Sequence, residues 1–163
     1  MEGLRHPKPI QVERTVTVLR PRKDLYGFWR NFENLSVVMN HLESVTVIDS
    51  TRSHWVAKGP VGIRVEWDAA ITREEENRSI DWAPVKGSEI AGGGTVLFTD
   101  APGDRGTEVK VVLSYDPPGG RLGAEFAKLF GDNPSQMVRE DLRRFKQLME
   151  TGETATISGQ PRG

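Results

Sequence analysis

The sequence predicts an α+β domain in which a curved antiparallel sheet of about seven strands packs against a long C-terminal helix. Residues 10–18 alternate between apolar and polar side chains, which is the period of a strand with one wet face. Residues 45–115 continue as short alternating segments separated by turn residues. Residues 134–150 then carry apolar side chains at spacings of three and four, which predicts a helix long enough to cross a sheet.

Length and composition indicate one compact domain. The chain has 163 residues, of which 36% are hydrophobic and 28% charged, a balance typical of globular proteins. We expect a single domain over residues 9–151 and flexible tails over 1–8 and 152–163, where no periodicity is present. There is no apolar stretch of signal-peptide type and no run of about 18 apolar residues, so we expect a cytoplasmic protein that does not span a membrane.

Charge and residue types exclude several partners and chemistries. With 22 basic and 23 acidic side chains the net charge is −1, so no long-range field favours nucleic acid. The chain has no cysteine, which excludes disulfides, thiolate nucleophiles and Cys-type zinc sites. Its three histidines show neither a metal-ligand spacing nor a Ser–His–Asp arrangement. We therefore predict no metal, no cofactor, no catalytic residue and no nucleic-acid partner.

Two short helices are predicted after the first strand. Pro21 suits the start of a helix because its missing N–H needs no partner there. The apolar stripe of this helix comprises Leu25, Phe28, Trp29 and Phe32. Asn34 is placed to cap a second helix that ends near His41, with a stripe formed by Leu35, Val38, Met39 and Leu42.

The turn lengths predict how the strands pair. A four-residue loop over 74–77 places Ile71 opposite Ile80 and Ala69 opposite Trp82. A loop over 101–106 pairs Phe98 with Val109, Val96 with Val111, Gly94 with Leu113 and Gly92 with Tyr115. The glycines at 92–94 then either let this strand bend or leave interior space.

The hairpin at 59–62 permits two registers. An odd loop turns Trp55 inward beside Val65, whereas an even loop turns His54 inward beside Trp67. The sequence leaves both registers open.

The C-terminal helix is predicted in two pieces. A first stripe comprises Leu122, Phe126, Leu129 and Phe130. Asn133 and Pro134 restart the helix as cap and first residue, with Gln136 placed as in a capping box. The apolar face continues through Val138, Leu142, Phe145 and Met149, and we expect the charged residues between them to form a solvated face, namely Arg139, Glu140, Asp141, Arg143, Arg144 and Lys146.

Arg14 is the exception on the first strand because it shares the apolar face with Val12 and Val16. A buried guanidinium without a partner is costly, so Arg14 must be paired, extend to the rim or be displaced by a bulge. The remaining alternative is that it points into a cavity and anchors an acidic or carbonyl group of a ligand.

The order of elements resembles the START-like (SRPBCC) superfamily, and within it the polyketide cyclase/dehydrase and coenzyme Q-binding branch. FWRNFENL at 28–35, VEWDAAI at 65–71, GTEVKVVLSYDPPGG at 106–120 and VREDLRRFKQLMETGE at 138–153 are similar to the bacterial cyclase/dehydrase subgroup. The resemblance implies a helix-grip fold that encloses an apolar cavity for a lipid, quinone or polyketide-like ligand.

Three functions remain open at this stage. The first is binding or carriage of a small hydrophobic ligand, the second is an aromatase or cyclase that acts by orienting its substrate, and the third is an interaction module with a filled core. The candidate cavity residues are Arg14, Trp67, Trp82, Val96, Phe98, Val111, Leu113, Tyr115, Phe126 and Phe130.

Overall fold

The computed structural model of the protein describes residues 10–58, 62, 64–86, 91–116 and 133–152. Its strands are β1 (Ile10–Val18), β2 (Leu42–Val47), β3 (Arg52–Lys58), β4 (Arg64–Glu75), β5 (Ser79–Pro84), β6 (Ala91–Asp100) and β7 (Thr107–Asp116). Its α-helices within these ranges are α1 (Arg22–Arg30), α2 (Leu35–Val38) and α3 (Pro134–Thr151), with 3₁₀ turns at Phe32–Asn34 and Pro102–Asp104.

The seven strands form one antiparallel sheet in the order β1-β7-β6-β5-β4-β3-β2. Strands β2 to β7 follow one another as a meander, and β1 pairs with β7 along its whole length. The predicted α+β helix-grip fold is therefore confirmed, with the sheet curved into a half-barrel around the C-terminal helix. The predicted helical segment at 122–130 lies outside the described residues.

The register of the last hairpin is confirmed at every predicted pair, from Phe98 opposite Val109 to Gly92 opposite Tyr115. The space above Gly94 is not empty, because a Cβ atom there would lie 2.5 Å from Cζ2 of Trp82 and 2.9 Å from Cδ2 of Leu113. Gly94 thus allows the Trp82 ring to lie flat against β6.

The predicted register of β4 with β5 is wrong. Ile71 lies opposite Trp82, and Ile80 lies opposite Glu74, because β4 extends to Glu75 and a shorter turn follows it. A register shift between Ile71 and Arg73 restores the alternation, as a β-bulge does by adding one residue to a single strand. The apolar side chains of β4 and β5 therefore still point to the same side of the sheet.

The structure turns Trp55 inward, as one of the two predicted registers does, but neither predicted pairing, Trp55 with Val65 or His54 with Trp67, is observed. Trp55 lies opposite Trp67, and Ala57 lies opposite Val65. His54 faces outward, where its ring nitrogens lie 2.6 Å from an Asp68 oxygen and 2.9 Å from a Glu66 oxygen.

The segment between β1 and β2 differs from prediction in its caps. Asn34 occupies the predicted N-cap position of α2, but its side chain makes no capping hydrogen bond and instead donates to the Phe28 carbonyl, whereas the Asn31 side chain accepts from the backbone of Glu33. Helix α2 has only four residues, so Leu42 becomes the first residue of β2. The helix therefore starts where the sequence predicts, but it ends at Val38 and not near His41.

Helix α3 begins and ends with side-chain and backbone caps. The Asn133 side chain accepts a hydrogen bond from the Gln136 N–H at 3.0 Å, and Pro134 is the first helical residue, as predicted. The reciprocal half of the capping box is absent, because the Gln136 side chain donates to Glu140. The helix ends at Gly152, whose φ of 80° is left-handed and suits glycine.

Substitution of Gly94 tests how tightly the sheet and Trp82 pack. We expect Gly94→Ala to lower the free energy of unfolding by about 1–3 kcal/mol, since the added methyl group forces Trp82 or Leu113 to move. Thr99→Val, at an exposed position of the same strand, is the matched control and should change stability by less than about 0.5 kcal/mol. Urea unfolding measures both, and an unchanged stability of Gly94→Ala would contradict this packing.

Candidate functional site

The interior between the sheet and α3 contains a cluster of four aromatic rings. Trp55 stacks on Trp67 at a centroid distance of 5.8 Å and on Trp82 at 6.4 Å. Phe32, from the 3₁₀ turn, contacts Trp55 and Trp82 edge-on at 5.6 and 5.5 Å. Strands β3, β4 and β5 supply the indoles because all three residues share the inner face. The inner wall is therefore both apolar and flat.

One end of this interior is closed by α1 and α3. Phe98 contacts Tyr26 and Trp29 at centroid distances of 6.1 and 6.4 Å, and Trp29 contacts Phe145 of α3 at 5.4 Å. Phe28 also packs on Phe145 at 5.6 Å. We call this set of five rings the closed floor.

Exposure of the inner-face residues changes along the sheet. The residues beside the closed floor are completely buried, with 0% exposure for Val96, Phe98, Val109 and Val111. Near the start of β1, Val12 is 7% and its partner Leu113 is 4% exposed, and on β4 Val65 is 7% and Trp67 is 8% exposed. These inner-face residues are thus completely buried beside the closed floor and slightly exposed at the other end. We call the latter the accessible end.

Arg14 lies on the inner face of β1, opposite Val111 of β7, and β1 contains no bulge. Its Nε donates to the Ser135 hydroxyl at 3.0 Å and to the Ser135 carbonyl at 3.3 Å, in the first turn of α3. Pairing is therefore how this half-buried guanidinium is accommodated. Among the described residues its two terminal nitrogens have no hydrogen-bond partner, so they can donate to a further group.

The other candidate cavity residues fall into two groups. Trp67, Trp82 and Leu113 are 4–8% exposed, whereas Val96, Phe98 and Val111 are completely buried. Tyr115 occupies its predicted strand position opposite Ile10 and Gly92. Phe126 and Phe130 lie outside the described residues.

A buried polar cluster connects α3 to the turn between α2 and β2. Asp141 is 3% exposed, accepts a hydrogen bond from Arg144 at 2.5 Å and lies 4.0 Å from the ring of the buried His41. The backbone N–H of Asn40 also donates to Asp141. Arg144 in turn donates to the Val38 carbonyl at 2.9 Å. The cluster therefore joins the helix to the α2 side of the sheet.

Burial shifts the pKa values of Asp141 and His41 in the directions that favour their uncharged forms. Burial raises the pKa of Asp141 to about 7, although Arg144 and the Asn40 N–H oppose this shift. Burial lowers the pKa of His41 to about 4, and the nearby Arg144 charge lowers it further. Near neutral pH the imidazole is uncharged and the carboxyl group is close to its titration midpoint.

The expectation that Asp141 and Arg144 lie on a solvated helix face is wrong. Asp141 follows Val138 by three residues and precedes Phe145 by four, so it belongs to the apolar stripe. That spacing was the available signal in the sequence. The partner His41 comes from about a hundred residues earlier, and no local pattern indicates the pairing.

The described ranges contain no group of three or more His, Asp or Glu side chains placed to hold a metal ion. No described helix is sufficiently long and apolar to cross a membrane.

A family model described as polyketide cyclase/dehydrase and lipid transport matches residues 18–143. The chain belongs to this family. It is also similar to a structural-genomics target of known structure from Deinococcus radiodurans, at 39% sequence identity and a TM-score of 0.72, covering 88% of this chain and 99% of the other.

More distant structures share the fold alone. A START superfamily protein from Mycobacterium smegmatis is 14% identical, with a TM-score of 0.65 over 85% of this chain and 98% of the other. An aromatase/cyclase from a Streptomyces species is 11% identical, with a TM-score of 0.62 over 91% of this chain and 100% of the other. The fold is thus the START-like one that the sequence resemblance implied.

The raised pKa of Asp141 predicts a pH-dependent stability. Because the folded pKa of about 7 exceeds an unfolded value of about 3.9, protonation stabilises the folded state below about pH 4, and this stabilisation is lost as the pH rises through 7. In the Asp141→Asn variant the side chain stays neutral at every pH, so this loss of stability does not occur. His41 is present in both proteins, so the comparison isolates the effect of residue 141. We therefore expect urea unfolding to show wild type losing stability relative to Asp141→Asn between about pH 4.5 and 7.5.

Glu140→Gln changes the neighbouring half-exposed carboxylate, which pairs with Arg143, and is the matched control. The stability difference between wild type and Glu140→Gln should depend much less on pH. A constant stability difference between wild type and Asp141→Asn over this pH range would contradict the assignment.

Proposed function

We propose that the protein binds a small hydrophobic or amphipathic ligand between the sheet and α3, at the accessible end. The observation that carries this proposal is that the half-buried Arg14 guanidinium lies on the otherwise apolar inner face beside Val12, at the end where Val12, Val65 and Trp67 are still 7–8% exposed. Apolar pockets with a few convergent polar groups are the usual form of small-molecule sites. Membership of a family described by cyclase, dehydrase and lipid transport activities supports the same class of ligand.

The stacked tryptophans favour a ligand with a flat or extended apolar part. The indoles of Trp55 and Trp67 lie within 22° of parallel, so the part of the inner wall that they form is flat and suits a ring or an alkyl chain packed along it. Quinones, polyketide-like rings and lipid chains all have such a part. Leu113 and Val12, paired across β1 and β7, would form the facing wall.

Arg14 is the polar group best placed to orient this ligand. Its Nε is already held by Ser135, which fixes the guanidinium at the start of α3. The terminal nitrogens are then available for a carboxylate or carbonyl oxygen at low cost in side-chain entropy. A ligand with an apolar body and an acidic or carbonyl end would match this arrangement.

A second candidate function is that of a cyclase or aromatase which acts mainly by holding a reactive chain in a productive conformation. The similarity in fold to an aromatase/cyclase supports it, and Arg14 could polarise a substrate carbonyl. The third candidate, an interaction module with a filled core, is supported by the close stacking of the three tryptophans. Binding of a small molecule separates the first two candidates from the third.

Ligands matched in chain length but differing in charge test the role of Arg14. We expect decanoate and decanol both to bind wild type and to change its tryptophan fluorescence. Arg14→Gln should weaken the binding of decanoate by about ten- to a hundredfold, since a charge-assisted hydrogen bond contributes about 1.5–3 kcal/mol, and should weaken the binding of decanol by less than about threefold. Arg139→Gln, at an exposed position of α3, is the matched control and should leave both affinities unchanged.

Failure of both probes to bind wild type would contradict the binding proposal and favour the filled core. Equal weakening of decanoate and decanol in Arg14→Gln would contradict the anchoring role and leave Arg14 as a structural residue of α3.

A further inference from the structure

A second concave site lies outside the interior, on the far side of Phe32. It is a cleft of about 720 Å³ between α1, the β2–β3 turn and the β4–β5 turn. This volume is within the range of about 300–1,000 Å³ that is typical of small-molecule sites. Neither Arg14 nor any of the three stacked tryptophans lines it. The cleft is therefore distinct from the site described above.

The floor of this cleft is apolar. Tyr26, Phe32, Val47 and Ile71 contribute side chains to its lining. Phe32 separates the cleft from the interior, because its ring packs on Trp55 and Trp82. Ser53 also lines the cleft, and its hydroxyl accepts the Trp55 indole N–H at 2.9 Å. The floor is thus fixed by contacts with the core and is formed before any ligand arrives.

A glycine in the middle of α1 keeps one wall of the cleft open. Gly27 lies in the interior of a nine-residue helix, where glycine is less favourable than alanine. A Cβ atom at this position would meet nothing within 4 Å, so close packing does not require the glycine. Any larger side chain at residue 27 would project into the cleft. The absence of a side chain here leaves room that a ligand can use.

The charges around the cleft are mostly paired with one another or with near neighbours. Asp24 pairs with Arg20 at 2.7 Å, Asp49 with Arg52 at 2.9 Å and Arg30 with Glu74 at 2.5 Å. Among the charged lining residues that the structure describes, this leaves an ammonium group on α1 and a carboxylate on the β4–β5 turn without an ion pair, namely Lys23 and Glu76. One cationic and one anionic group thus remain, on adjoining walls, because Arg22 next to Lys23 donates to the carbonyl of Asn77 next to Glu76 at 3.2 Å.

We propose that this cleft binds a small zwitterionic molecule with an apolar ring, the ring lying against Phe32 and Ile71. The carboxylate of such a molecule pairs with Lys23 and its ammonium group with Glu76. An apolar ring beside two neighbouring opposite charges matches the floor and the two adjoining walls, whereas a ligand with a single charge leaves one of the two groups without a partner. The site is independent of ligand binding in the interior.

The test uses phenylalanine together with 3-phenylpropionate, which lacks the ammonium group, and 2-phenylethylamine, which lacks the carboxylate. Amide chemical shifts of the full chain are followed by ¹⁵N NMR during each titration. We expect phenylalanine to cause saturable shifts at Gly27, at 50–53 and at Asn77, with a Kd of about 1 mM or lower. Each analogue should bind about three- to fivefold more weakly, as expected for loss of one exposed ion pair.

Substitutions at the wall separate this site from the interior. Gly27→Phe should abolish the phenylalanine shifts, whereas Gly27→Ala should retain them and raise Tm. Ser50→Trp, which fills the facing wall at an exposed turn position, provides a second blocked variant if Gly27→Phe does not fold. Lys23→Ala should make phenylalanine and 2-phenylethylamine bind equally. Decanoate binding in the interior should be unchanged in all of these variants.

Three results would overturn the proposal: no saturable shift with phenylalanine, shifts that persist in a folded blocked variant, or equal affinity of wild type for the three probes. Because each is read at the cleft residues, failure here is distinguishable from failure of decanoate to bind in the interior.

Discussion

Helix α3 bridges the two edges of the sheet, and the rest of the structure depends on this bridge. On the β1 side Lys146 donates to the Thr17 carbonyl, and Glu150 accepts from the Leu19 N–H, each at 2.7 Å. On the α2 side Arg144 donates to the Val38 carbonyl. The apolar stripe between these contacts covers the concave face of the sheet, whose burial supplies the main stabilising free energy.

The bridge also determines where a ligand has access. The C-terminal half of α3 brings Phe145 against Phe28 and Trp29, which closes the interior at the α1 end. The N-terminal turn of α3 instead meets a polar group, Arg14, through Ser135. Because one helix contacts both ends, a single element separates the closed floor from the accessible end. This division follows from the positions of Phe145, a large apolar residue, and Ser135, a small polar residue, on the same helix.

Local patterns predicted the parts of the fold that depend on local physics. The period-2 alternation in β1 and the even loop between β6 and β7 give the observed strand and register because each side chain has only two faces to choose from. The β4–β5 register could not be predicted in this way, since the shift after Ile71 adds a residue without any Gly or Pro signal.

The sites depend on contacts between distant segments, which local patterns do not encode. Arg14 was identifiable because its position in the alternation is anomalous, but its partner Ser135 lies 121 residues later. Asp141 interrupts an apolar stripe, and its partner His41 lies in a turn that comes far earlier in the chain. The cleft beside Gly27 is assembled from α1 and two turns, so no single segment carries its signature. Only the folded arrangement brings these groups together.

The central claim, that ligand binds at the accessible end and not at the closed floor, is tested most directly by ¹⁹F NMR of the protein labelled with 5-fluorotryptophan. The chain has four tryptophans, and each resonance can be assigned from a Trp→Phe variant. On titration with menadione, a flat quinone, or with decanoate, we expect the resonances of Trp55, Trp67 and Trp82 to shift while that of Trp29 stays fixed. A shift of Trp29 alone, or no shift at any of the four, would contradict the account.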